Sequence, residues 1–110
     1  RLDPARLTGA YAWRSLEKAG VRLAFGSDVP VESAEPFAGL AAAMSRTGPD
    51  GQPFGGWRAQ EAVSRETALD GFTRTAAYAA FAEDRLGTLM PGMRADFVLV
   101  DGDPLLASAS

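Results

Sequence analysis

With 110 residues, 46% of them hydrophobic and 23% charged, the chain has the composition of one ordinary globular domain and is too short for a complete (β/α)8 barrel, which needs ~250 residues. Its net charge of −3, with acids and bases mixed, leaves no basic patch for nucleic acid, and no apolar run approaches the ~20 residues of a membrane helix. The absence of Cys excludes disulfides and thiolate chemistry, and the absence of His means that no imidazole base or His-ligated metal can be completed by this chain alone.

The start, Arg1-Leu2-Asp3-Pro4, lacks the apolar region of a secretory leader, so a cytoplasmic location is expected. A start without Met and a chain without His together fit a piece of a longer protein. Asp3-Pro4 predicts an N-cap and first helical residue, with the helix running to about Lys18 on the spacing of Ala12, Leu16 and Ala19. Gly20 suits the position just past a helix end.

The next stretch, Val21-Arg22-Leu23-Ala24-Phe25-Gly26-Ser27-Asp28, organises the chain. A short apolar run bounded by Gly20 and Gly26 reads as a buried strand, and Asp28 lies just past its C-terminal end, where α/β folds build their sites. From the residues alone, Asp28 reads as an Asx-turn or capping acid beside Pro30. Pro36 predicts a second helix, with Phe37, Leu40, Ala41 and Met44 as its apolar stripe and its end near Arg46. Arg46 reads as a solvated or salt-bridged side chain, with reach toward a substrate as the alternative.

Thr47 to Gly56 is a Gly- and Pro-rich loop, either a connection or a lid. Ser64 predicts the N-cap of a helix through Ala68, Leu69 and Phe72, with Glu66 favourably placed in its first turn. Thr73 to Phe81 extends the helical pattern after a break. Gly87-Thr88-Leu89-Met90 and Ala95-Asp96-Phe97-Val98-Leu99-Val100 predict two strands joined through a type II turn at Pro91-Gly92. A lone hairpin is marginal in water, so partner strands are expected from elsewhere.

In this order, the motifs resemble the metal-dependent amidohydrolases, specifically the amidohydrolase 3 (YtcJ-like) group. The matching stretches are Leu23-Ala24-Phe25-Gly26-Ser27-Asp28-Val29-Pro30-Val31, Met44-Ser45-Arg46, Ala68-Leu69-Asp70-Gly71-Phe72-Thr73, Gly87-Thr88-Leu89-Met90-Pro91-Gly92-Met93 and Ala95 to Asp101. The resemblance implies an α/β fold: the C-terminal fragment of a (β/α)8 barrel, with residues 21–28 as its last strand. The hairpin would belong to a small β-sandwich assembled from both chain ends. The implied division is 1–84 barrel, 85–104 hairpin and 105–110 a frayed tail.

The implied function is hydrolysis of amide-like, non-peptide carbon–nitrogen bonds by a metal-activated water in a longer parent, with the fragment alone inactive. The implied cofactor is a divalent metal, zinc by expectation, held by the parent and not tightly bound to this fragment. Of the family's catalytic and metal-contacting positions only one falls here, Asp28, which would contact the metal and accept a proton. Asp28 with Glu32 and Glu35 has no spacing pattern of a three-ligand site, and Asp96 reads as structural.

The expected partners are a small-molecule substrate and the N-terminal remainder of the parent, with no nucleic acid and no membrane. Apolar surface left open on the fragment would favour homo-oligomers. The alternatives are a binding or structural module that folds alone, and the same fold carrying ester hydrolysis, decarboxylation or isomerisation.

Overall fold

The computed structural model describes residues 3–106. Asp3 caps the chain start as expected, its Oδ1 accepting from the Ala5 amide at 2.8 Å. The helix it opens is interrupted, however. Pro4–Gly9 is 3₁₀, Ala10 is extended, Tyr11 is left-handed (φ 49°), and α1 spans only Trp13–Lys18. The kink at residues 10–12 carries two backbone carbonyls to distant arginines, a tertiary demand that local periodicity does not reveal.

Helix α1 ends where the sequence marks it. Gly20 is left-handed (φ 83°), Val21 N–H bonds Leu16 C=O at 3.0 Å and Gly20 N–H bonds Glu17 C=O at 2.8 Å. This is a Schellman closure. Helix α2 spans Pro36–Ser45 and is capped by the Glu35 side chain, which accepts from Phe37 N–H. It buries Leu40 and Ala43, with Met44 packed beside them. Phe37 stays 45% exposed, so the buried stripe is shifted from the predicted one.

A 3₁₀ turn, Ala59–Glu61, leads to α3, Arg65–Phe72, whose cap Ser64 accepts from Thr67 N–H. Helix α4, Arg74–Ala79, follows after a break at Thr73. The core is Leu40, Ala43, Val63 and Ala68, with Trp13, Leu23, Phe25, Leu69 and Phe72 packed around it.

No strand forms among the described residues. Residues 21–27 are irregular by hydrogen bonding; beyond the closure of α1 at Val21, a bond to the helices runs from Phe25 N–H to Gly71 C=O at 2.9 Å. Burial nevertheless alternates like a strand: Leu23, Phe25 and Ser27 lean inward while Arg22, Ala24 and Gly26 are exposed. Gly71 permits this approach, since a Cβ there would lie 2.3 Å from Phe25 Cδ2 and 3.1 Å from Leu23 C=O.

The expected hairpin is likewise reduced to its turn. Met93 N–H bonds Met90 C=O at 3.0 Å and Gly92 has φ 92°, as a type II turn requires. Residues 95–100 form no ladder, and Phe97, Val98 and Leu99 are 68–92% exposed. A β-ladder needs a second backbone, and none pairs with this segment among the described residues. Leu105 N–H bonds Asp103 Oδ1 at 2.8 Å, so the tail begins with a closed turn; residues 107–110 of the expected frayed segment lie outside the described residues.

The accessible surface is 8195 Å², against about 5800 Å² expected of a folded monomer of this mass. The excess is apolar in large part, with Val29, Val31, Phe54, Phe81, Leu89 and Leu99 all more than 60% exposed. No helix among the described residues is long and apolar enough to cross a membrane.

Candidate functional site

Asp28 sits in the turn that ends the extended segment 21–27. Its backbone is left-handed (φ 52°), a conformation that Asp and Asn tolerate better than other residues with a Cβ. The turn is closed by Val31 N–H donating to the Asp28 backbone carbonyl at 2.9 Å. Pro30 has no N–H to offer, and Val31 N–H is already used. Among the described residues the Asp28 carboxylate therefore has no hydrogen-bond or ion-pair partner. The Asx-turn and capping reading fails, because the main chain closes this turn without the side chain.

Glu32 and Glu35 do not join Asp28. Glu35 is occupied at the α2 N-terminus, accepting from Phe37 N–H at 3.0 Å. Among the described residues no three His, Cys, Asp or Glu side chains are placed to hold a metal ion. A single carboxylate oxygen donor suits a divalent cation but cannot complete its coordination. The chain's donor set thus fits one ligand of a metal site and not the site itself. Asp96 lies exposed in the unpaired segment 95–100.

A second constellation was invisible to local patterning. Arg46 caps α2 in the left-handed conformation (φ 62°), is only 7% exposed and has no ion pair among the described residues, so it is a largely buried side chain and not the solvated or salt-bridged one expected. Its guanidinium carbon stacks 4.1 Å from the Trp13 ring centroid and 5.5 Å from that of Trp57. Nε donates to Trp57 C=O and Nη2 donates to Tyr11 C=O, each at 3.2 Å. Trp57 N–H returns a bond to Arg46 C=O at 2.8 Å. Arg46 therefore closes the neck of the 47–56 loop and ties it to the kink before α1. Burial, and then the nearby Arg58 charge, push the Arg46 pKa down; Glu61 opposes them.

Arg58 makes the companion tie, donating to Ala10 C=O at 2.9 Å and Thr8 C=O at 2.7 Å. Glu61, 6% exposed, accepts from Ser15 N–H at 2.9 Å and Ser15 Oγ–H at 2.7 Å, at the start of α1. It also lies 3.9 Å from Arg58. The pattern could have been suspected from both tryptophans standing close in sequence to arginine or an aromatic residue: Tyr11-x-Trp13-Arg14 and Trp57-Arg58.

The hydrogen bonds from Ser15, side chain first and backbone second, hold the Glu61 carboxyl below the usual range, with the Arg58 and Arg46 charges adding to them. A carboxylate with a lowered folded pKa contributes stability that is complete above its unfolded pKa, ~4.3 for Glu, and is lost as pH falls through the folded value. We expect thermal melts of Glu61→Gln to show a lower Tm than wild type at neutral pH. The gap should narrow below about pH 4, where the wild type also loses its charge.

Against this geometry, the comparisons are decisive about ancestry. The sequence model of the amidohydrolase family matches residues 1–110. The chain belongs to the amidohydrolase family. It is 31% identical over 104 residues to YtcJ of Bacillus subtilis (strain 168), a protein with an amidohydrolase name, covering 94% of this chain and 20% of that protein. It is 37% identical over 91 residues to the protein LONG AFTER FAR-RED 3 of Arabidopsis thaliana, covering 83% of this chain and 15% of that one.

Among solved structures of the family's fold, an uncharacterised metal-dependent hydrolase from Pyrococcus horikoshii OT3 superposes with TM-score 0.84 at 29% identity. Another, from Pyrococcus furiosus, gives 0.75 at 34%. They are covered to 22% and 20% of their length, while this chain is covered to 99% and 96%. The chain thus spans about a fifth of the amidohydrolase-family proteins it resembles.

Proposed function

We propose that this chain is the C-terminal part of a metal-dependent hydrolase that cleaves carbon–nitrogen bonds of amide-like small molecules, and that Asp28 is its catalytic carboxylate. The observation that carries the reading is the unengaged Asp28 carboxylate at the end of segment 21–27, presented by a turn closed entirely through the main chain. Residues in sparsely populated backbone conformations gather at functional sites, which agrees with φ 52° here.

In this reading residues 1–84 belong to a (β/α)8 barrel and segment 21–28 is its last strand. The alternating burial supports it: one side of the segment packs on α3 and the other is left for barrel neighbours. Residues 85–104 return to a small β-sandwich whose partner strands come from the N-terminal part of the parent. The exposed Phe97, Val98 and Leu99 and the surface excess support that completion.

A divalent metal, zinc in our proposal, supplies Lewis acidity when bound in the parent and lowers the pKa of water to ~7. Asp28 would accept the proton of the attacking water and return it to the leaving nitrogen, a transfer that requires hydrogen-bond reach of both. Its free carboxylate can also act as one oxygen ligand. Among the described residues no three His, Cys, Asp or Glu side chains come together to complete a metal's ligand set.

The test is amide hydrolysis by the full-length parent before and after chelation, with zinc added back. Activity should be lost to the chelator and restored by zinc, while the 110-residue chain alone turns nothing over. Turnover by the chain alone, or full activity in the chelated parent, would sink the reading.

A further inference from the structure

Arg46 lines an open cleft of about 230 Å³ together with Tyr11, Trp13, Ala42, Thr47 and Trp57. The hydrolase reading makes no use of it. Ion pairs among the described residues join Arg58 to Glu61 and Arg74 to Asp70; Arg46 has none. Its Nε and Nη2 are committed to backbone carbonyls, and Nη1 has no partner among the described residues. No side-chain nitrogen or oxygen there is both sealed from solvent and unpaired, so Nη1 reaches solvent. An arginine only 7% exposed as a residue with no ion pair among the described residues is unusual, because buried charges are ordinarily paired. Arg58 adds a second positive charge nearby, and Glu61 is the single acid acting on both.

We propose that this cleft seats a carboxylate at Nη1 of Arg46, on a flat stem held among Tyr11, Trp13 and Trp57. A planar anion matches the planar guanidinium fork, and the charge-assisted bond is the strong kind. The aromatic rings meet edge to face, Tyr11 with Trp13 at 6.2 Å and Tyr11 with Trp57 at 5.8 Å. They form flat walls that suit an aryl or short acyl stem better than a tetrahedral oxyanion. The cleft volume of about 230 Å³ admits a benzoate-sized group. The carboxylate comes either from a free small molecule or from an Asp or Glu side chain of the parent outside this chain.

The probe is benzoate, titrated by calorimetry into the full-length parent, with benzamide as its uncharged counterpart. Saturable benzoate binding, weakened at least ~10-fold by Ala42→Leu and by the change to benzamide, is the result expected of a free ligand. Ala42→Leu adds bulk to the cleft lining while leaving Arg46 in the sequence. Crystals of the wild-type parent grown with benzoate read the same site should that variant fail to fold. If benzoate does not bind, a parental carboxylate oxygen within ~3.2 Å of Nη1 in the crystal structure supports the internal source.

Equal binding of benzamide, or benzoate binding undiminished in Ala42→Leu, would overturn the proposal. So would an absence of benzoate binding together with no carboxylate at Nη1. Heat and crystallographic position, rather than turnover, are read, so the outcome is independent of the hydrolase assignment.

Discussion

Asp28→Asn in the full-length parent should lower kcat by about 10²–10⁴-fold, the range expected for removal of a general acid–base group. The substitution preserves shape and removes the ability to accept and return a proton, together with the negative charge a metal ligand would supply. Asn tolerates the left-handed backbone about as well as Asp, so the φ of 52° is not disturbed. The carboxylate has no intramolecular partner among the described residues, so no fold contact is lost, and Tm should stay within ~1 °C of wild type, as for an exposed substitution.

The split between the two readouts decides the role. A large fall in kcat with unchanged Tm identifies a group acting on the reaction. A comparable fall in Tm would make Asp28 a structural residue of the turn, and an unchanged kcat would remove it from the chemistry.

Arg46→Met is the substitution with the largest expected effect on stability, about 2–4 kcal/mol. Each of the two bonds to Trp57 and Tyr11 carbonyls is of the charge-assisted kind, worth roughly 1.5–3 kcal/mol. The stacking on Trp13 and Trp57 adds about 0.5–2 kcal/mol. Removal of a buried charge returns part of this through relieved desolvation, which sets the upper bound.

Arg46→Lys should recover less than half of the loss. An ammonium is a compact point charge and cannot stack flat on two indoles while bonding two carbonyls that lie apart. Thermal or denaturant unfolding of the parent measures both variants. A loss below ~0.5 kcal/mol for Arg46→Met, the range of an ordinary surface substitution, would show that the loop neck and the α1 kink hold together without it.

Local chemistry determined the helix boundaries. Ser64 caps α3 and Pro36 opens α2 because each satisfies its own first turn, and Gly20 ends α1 because its neighbours' amides need a left-handed residue there. The 90–93 turn follows from Pro91-Gly92 in the same way. These are interactions between residues a few positions apart, so the sequence states both partners. The order of family motifs and the singling out of Asp28 were legible for the same reason, each being a short contiguous string.

Tertiary structure alone decided the rest. The helix expected over residues 4–18 is broken at Tyr11 because its carbonyl and that of Ala10 are claimed by Arg46 and Arg58, 35 and 48 residues away. Arg46 reads in sequence as a surface charge and is buried because two tryptophans from separate segments close around it. Segments 21–27 and 95–100 carry the composition of strands, yet a hydrogen-bonded ladder needs a second backbone alongside, and none pairs with them among the described residues. Capping and turns are local and can be read one residue at a time; burial, pairing and the availability of a charge depend on chain segments that meet only after folding.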